Sequence, residues 1–354
     1  MTSLRSSGHT PATTDVLIIG GGLVGLCCAI ALGERGVEVI ILTRRLPGEA
    51  SPAAAGILAP SVERVEGPAH AFAVAARDRY PSFIESLAAT TGIEVSLNRR
   101  GILGLAGDVE GERIDAAALR RMEPALASHE SAVYSANDGA VDNVTLLTAV
   151  TRRISQLPSI RIVDALADEL TLDAELVGVA TAAGESFRAR RVILAAGAWL
   201  AWLRGLPSPI PVEPVRGQML ALASQALGRV VFGADAYLVP RAGEILVGST
   251  MEHVGLEAGT TPEALDMLRS AATQICPALA SAAVTRSWSG LRPITPDLLP
   301  MLGPHPADER LVFAAGHSRS GILLAPLTAD CLAALVCGEE PRHDLSPFVV
   351  GRFA

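Results

Sequence analysis

Val16-Leu17-Ile18-Ile19-Gly20-Gly21-Gly22-Leu23-Val24-Gly25 is the stretch on which the fold turns. Residues 16–19 are apolar without a break and mostly β-branched, as in a strand buried on both faces. Glycines 20, 22 and 25 then fit GxGxxG between a strand and a helix. Gly20 permits the tight turn, Gly22 lets the backbone approach a pyrophosphate, and Gly25 allows close helix–strand packing. Leu23 and Val24 open a helix whose apolar run continues through Leu26, Ala29, Ile30 and Leu32. The unpaired N–H groups at its start would face phosphate. Gly36 is a suitable stop, and residues 37–42 read as a second buried strand. The chain therefore starts on a βαβ unit. The uncharged run 16–33 also has the length that raises a membrane-span question. Glycines in the middle of the run favour strand–turn–helix instead.

An acidic side chain is expected at the end of the second strand, to hold ribose hydroxyls. Here that place is taken by Thr43, followed by Arg44 and Arg45. An arginine just past the strand can also accommodate a 2′-phosphate, so these residues alone leave NADP open beside FAD.

Composition narrows the chemistry. The 354 residues are 49% hydrophobic and 19% charged, with a net charge of −8. That suits a globular enzyme and gives no nucleic-acid footprint or polybasic membrane patch. The chain has no lysine, which excludes a pyridoxal Schiff base and a Walker-type phosphate lysine. Every basic side chain but histidine is arginine, whose flat fork suits carboxylates. The five cysteines lie at 27, 28, 276, 331 and 337. They form no CxxC pair and no His/Cys cluster of metal spacing, so no metal is expected. A reduced, cytoplasmic setting follows. Residues 1–13 are polar, lack a signal-peptide core and read as a loose tail.

Further along, 51–60 (SPAAAGILAP) is a small-residue loop that lets a flat ligand come close. Residues 69–92 have helical spacing, and 261–276 form another helix stopped at Pro277. Strands are expected over 95–106, 212–223, 230–232, 237–240 and 245–249. Two late strands, 191–194 and 311–314, each run into glycine: AAGAWL and AGHSRSGILLAP. The fold class is α/β, with a largely antiparallel α+β region inserted.

These blocks together resemble the D-amino-acid oxidase superfamily of FAD enzymes, and within it the glycine oxidases of the thiamine-biosynthesis (ThiO) type. The resemblance runs from about residue 15 to about 336. It is carried by AAAGILAP at 53–60, VRGQML at 215–220, YLVPR at 237–241, GSTM at 248–251, SGLRPITPD at 289–297 and GHSRSGILLAP at 316–326. It implies a discontinuous FAD domain (14–79, 137–205, 286–340) and a substrate domain (80–136, 206–285).

Site roles follow from the same resemblance. Arg292 would grip the substrate carboxylate, Tyr237 would support it, Arg319 would line the site and Met251 would form its wall. Around FAD it places Gly20, Gly22, Leu23, Val24, Gly25, Thr43, Arg44, Ala55, Gly56, Ile57, Gly197 and Trp199. Gly321, Ile322 and Leu323 would open a helix aimed at the flavin's pyrimidine edge. His317 reads as structural, because direct hydride transfer from the α-carbon needs no strong base. Asp297 and Glu63 receive no role. Ser318 and Ser320 depart from the bulkier residues common in this family.

The implied reaction oxidises glycine, sarcosine or small D-amino acids to an imine or 2-oxo acid. Oxygen becomes hydrogen peroxide, and the imine is available to thiazole synthesis. Alternatives are a D-amino-acid dehydrogenase with a non-oxygen acceptor and a flavin subunit inactive without a partner. A homo-oligomer with no membrane span and no nucleic-acid partner is expected.

Overall fold

In the computed structural model, residues 12–62, 66–106 and 109–353 are described. Glu63 and the first 11 residues of the expected tail lie outside them. The opening strand is longer than its apolar core. It spans Ala12–Ile19, and Ala12 and Thr13 already pair with Phe187 and Arg188. The expected tail is therefore cut short, because backbone pairing extends a strand regardless of side-chain polarity.

Five parallel strands make the centre of the first sheet. In spatial order they are Ile160–Asp164, Val39–Thr43, Ala12–Ile19, Ser186–Leu194 and Asp308–Ala315. Antiparallel strands Ala167–Leu172, Val177–Thr181 and Met301–His305 complete this 8-stranded sheet. The inner parallel strands are apolar on both faces at residues 16–19 and 39–42 because both faces are covered there, whereas the edge strand Ile160–Asp164 is largely exposed. Helices Leu23–Gly33, Gly67–Thr91, Asn143–Ile154 and Gly321–Val336 pack on one side. Leu17, Ile19, Ile40, Leu42 and Val192 turn to the other.

The second sheet also has 8 strands, in the order Val284–Ile294, Glu213–Ala223, Glu244–Gly248, Tyr237–Arg241, Val230–Phe232, Ile102–Gly104, Ser131–Ser135 and Glu112–Asp115. All its pairings are antiparallel except Val230–Phe232 with Ile102–Gly104. Helix Pro262–Ile275, N-capped by Thr261, covers one face. Met219, Leu246 and Val239 turn the other face towards Ala55 and Ala59 of the first region.

Two expectations change. Residues 95–106 are two strands in different sheets. Leu97–Asn98 joins a 3-stranded sheet, whereas Ile102–Gly104 joins the second large one. Asn98 accepts from the Arg100 N–H at 3.1 Å and Gly101 takes φ +81, so the chain turns between them. The expected boundary at 286 also falls inside a strand. Val284–Ile294 pairs with Glu213–Ala223 along its whole length. No helix among the described residues is long and apolar enough to cross a membrane.

Candidate functional site

A cavity of about 540 Å³ lies where all five parallel strands end. Ligands of open α/β sheets bind outside the carboxyl ends of the strands. Here those ends run into Ala165–Asp168, Thr43–Arg44, Gly20–Gly22, Ala195–Trp199 and Ala315–Arg319, and all five segments line the cavity. Its far wall comes from the second sheet, through Gly217, Met219, Tyr237, Gly248 and Arg292.

The glycine turn is built by contacts that a Cβ would prevent. Gly20 takes φ +113, and a Cβ there would sit 2.2 Å from the Ala195 carbonyl oxygen. At Gly25 it would sit 2.1 Å from the Gly20 oxygen, so this glycine serves close helix–strand packing. Gly21 was not singled out in the sequence. Its N–H donates to Thr43 Oγ1 at 3.1 Å, and a Cβ would meet that threonine at 2.5 Å. At Gly22 a Cβ would crowd Ser51 Oγ, which accepts the Leu23 N–H at 2.9 Å. One orphan amide of the helix start is thereby satisfied by protein.

Arg44 is engaged as well. Its Nε donates to Asp164 Oδ1 at 3.0 Å. This arginine is therefore braced against the neighbouring strand end, where a 2′-phosphate contact would require it to turn away.

The 51–60 segment is more ordered than a loop. It contains helix Ala50–Ala53, strand Ile57–Leu58 and the start of a 3-10 turn at Pro60–Val62. Gly56 takes φ +73, and a Cβ would lie 2.0 Å from the Val141 carbonyl oxygen. Arg241 Nη2 holds the Ala55 carbonyl at 2.6 Å, and Asn143 holds that of Ser51 at 2.9 Å.

Around the substrate end, two glycines make room for two large side chains. Tyr237 is paired across the sheet with Gly248, where a Cβ would be 2.5 Å from its hydroxyl oxygen. Arg292 lies over Gly217, where a Cβ would be 2.3 Å from Nη1. The Arg292 fork is already steered: Nη1 donates to the Thr250 carbonyl at 3.2 Å and Nη2 to Ser249 Oγ at 2.5 Å. Burial pulls its pKa below the usual arginine value; the nearby Tyr237 hydroxyl opposes this and the Arg319 charge adds to it. An arginine stays protonated nonetheless, so two cations border one space.

Segment 249–252 is itself anchored. Arg216 and Glu252 exchange backbone hydrogen bonds, Arg216 Nε donates to Glu252 Oε2 at 2.8 Å, and Gln218 Nε2 donates to Glu252 Oε1 at 2.8 Å. Met251 lines the cavity but is 56% exposed, so it sits at the mouth.

His317 is buried. Its Nε2 lies 3.3 Å from Thr328 Oγ1, and burial pushes its pKa down to about 4. Asp297 pairs with Arg352 at 2.7 Å, tying down the C-terminal segment. None of the five cysteines lines the cavity.

Most residues singled out in the sequence line this one cavity: Arg292, Tyr237, Arg319, Met251, Gly20, Gly22, Val24, Thr43, Arg44, Ala55, Gly56, Ile57, Gly197, Trp199, Gly321 and Ile322. Leu23, Gly25 and Leu323 do not; they are buried in the helix-side packing. Ser51 was expected only as part of the 51–60 segment, without its bond to Leu23, and Ser249, Thr250 and Ala165–Asp168 were missed. For the last of these a signal existed, since it follows a strand of the parallel sheet. Ser249 and Thr250 stood beside Met251 in GSTM, but nothing in the sequence says that they face Arg292.

The cavity at the strand ends, the glycine turn on its wall and the small-residue segment 53–57 fit a dinucleotide such as FAD. Comparison with known proteins agrees. A family model described as FAD dependent oxidoreductase, DAO, matches residues 15–335. The bifunctional protein ThiO/ThiG of Synechocystis sp. is 36% identical over 96% of this chain, which spans only 54% of that longer protein. The glycine oxidase of Pseudomonas putida is 33% identical, over 94% of this chain and 97% of its own. The crystal structure of glycine oxidase from Geobacillus kaustophilus superposes with a TM-score of 0.89 at 30% identity, covering 96% of this chain and 98% of that one. The chain belongs to the DAO family of FAD-dependent oxidoreductases.

Proposed function

We propose that this oxidoreductase acts on glycine, or on another small amino acid with a free carboxylate and an α-hydrogen, and releases an imine or 2-oxo acid. The observation that carries this reading is Arg292: a largely buried guanidinium directed into the cofactor cavity and held by Ser249 and Thr250. Bound FAD supplies the two-electron acceptor for the α-carbon. Gly20–Gly22, Thr43, Ala55–Ile57 and Gly197 would hold it. The N–H groups of Arg292 not spent on Ser249 and Thr250 would bind the substrate carboxylate, with the Tyr237 hydroxyl beside them. Arg319 adds positive potential, and Met251 screens the mouth. His317 is buried against Thr328 with its pKa lowered to about 4, which leaves it too weak a base for the role, so it serves as packing.

Small substrates, and delivery of the imine to thiazole synthesis, are supported by the names of the relatives, one of which joins ThiO to ThiG in one chain. Oxygen as the acceptor, giving hydrogen peroxide, is part of the same reading, as are the division into FAD and substrate domains and a homo-oligomer. One observation favours a dehydrogenase instead: the chain has no lysine to assist oxygen near a flavin. Stopped-flow mixing of reduced enzyme with air separates the two.

Arg292→Ala is the test of the carboxylate site. Removing one partner of a desolvated ion pair costs about 3–5 kcal/mol, so kcat/KM for glycine should fall hundreds- to thousands-fold. FAD content should hold, and Arg292→Lys should rescue only part, since an ammonium lacks the fork. A simple amine without a carboxylate should gain relative to glycine. Retained glycine activity in the Ala variant, or loss of its flavin, would place the carboxylate elsewhere.

A further inference from the structure

We propose that a second, polar cavity, at the outer end of strand Tyr237–Arg241, is a binding site for a phosphate-sized oxyanion. It measures about 350 Å³ and is bordered by Arg99, Arg100, Arg241, Asn98 and Asp142. It belongs neither to the cofactor cavity nor to the substrate end described above.

Arg241 is the reason. Its guanidinium is largely removed from water, and burial pulls its pKa below the usual arginine value. The two groups it touches, the Ala55 carbonyl and Asn143 Oδ1 at 3.2 Å, are uncharged, and both are reached through Nη2. Nε and Nη1 make no hydrogen bond among the described residues, yet neither is sealed off from accessible space. A desolvated guanidinium with no counter-ion in contact is costly, and an oxyanion presents the matching pair of acceptors.

No carboxylate among the described residues makes an ion pair with Arg241. Asp142 borders the cavity and favours the Arg241 charge through space, but its carboxylate caps helix Asn143–Ile154. It accepts from Val144 N at 3.1 Å, Thr145 N at 3.3 Å and Thr145 Oγ1 at 2.9 Å. Arg286 acts on Arg241 in the opposite sense. Arg99 and Arg100 bring two more guanidiniums on the turn before Gly101, and Arg100 lies over Gly228, where a Cβ would be 2.7 Å from Nη1. Three cations thus border a space with one carboxylate that is already engaged. Because Arg241 holds Ala55, and Ala55 lines the cofactor cavity, an anion here would brace that segment and slow loss of FAD.

The test uses the FAD-loaded enzyme and inorganic phosphate, with chloride at matched ionic strength as the control. Phosphate should raise the unfolding midpoint by a few degrees along a saturating curve, slow FAD release, and show a broadened phosphorus resonance. Arg99→Ala/Arg100→Ala should weaken all three responses at least fivefold while leaving the midpoint in chloride near that of the parent. Arg99→Glu, which keeps a long polar side chain, should weaken them too by repelling the anion. Equal responses to phosphate and chloride would overturn the proposal, as would variants that respond like the parent. A midpoint that rises with protein concentration but not with phosphate would also overturn it, assigning the cavity to a carboxylate of a second copy.

Discussion

Thr43 shows what one side chain decides at the cofactor turn. Its hydroxyl oxygen accepts the Gly21 N–H, so it props the glycine turn instead of offering a charged pair of acceptors to a ribose. Arg44 is held by Asp164. Thr43→Val would leave the Gly21 amide unpaired at a cost of about 1 kcal/mol, and FAD affinity should fall about fivefold. Thr43→Glu should tighten FAD roughly tenfold by adding a charged acceptor. Flavin fluorescence on dilution of the holoenzyme measures both; an unchanged dissociation constant in both variants would mean that Thr43 has no influence on FAD binding. His317 makes a separate prediction, about acid. Its folded pKa of about 4 lies below the usual value of 6.5, so the unfolded chain binds the proton more readily. The stability contributed is fully present above pH 6.5 and is lost as pH falls towards 4. Urea unfolding should show this acid-side decline, and His317→Gln should flatten it. An equally steep decline in the variant would assign the acid sensitivity to other groups.

The helix Gly321–Val336 contains Pro326. Proline has no N–H, so the Ile322 carbonyl, four residues back, has no helical partner. Tyr80, fully buried on helix Gly67–Thr91, donates its hydroxyl to that carbonyl. The long helix thus repairs the defect and pins the first turn of the helix that opens at the cavity. Tyr80→Phe should cost about 1–3 kcal/mol, the penalty for an orphaned buried acceptor. In a Pro326→Ala background the helix regains its own donor, so the same change should cost much less. A double-mutant cycle by denaturant unfolding reads the coupling directly. Additive effects would mean that Tyr80 contributes only packing.

At the scale of the whole molecule, the cofactor cavity draws one wall from the parallel strand ends and the other from the second sheet. FAD bound there would tie the two together. Each tenfold rise of free FAD above its dissociation constant should add about 1.4 kcal/mol to stability, seen as a midpoint that climbs with added FAD. Apoenzyme should unfold at the lowest temperature, and a midpoint insensitive to FAD would mean that the cavity does not join the sheets. The opening strand–turn–helix was legible without coordinates because its period and its glycines are local properties of residues 16–33. Arg292 and Tyr237 could be named only through resemblance to a family. The strands bearing them say nothing locally about what they face. The sequence by itself determined the βαβ start, the apolar strands and the glycine turn, since backbone sterics and hydrophobic periodicity act over a few residues. Tertiary structure alone decided that 95–106 splits between two sheets, that Ser249 and Thr250 steer Arg292, and that Tyr80 completes a helix 242 residues away. Those contacts depend on which strands become neighbours, and strand order is set by burial of the whole core rather than by any one segment.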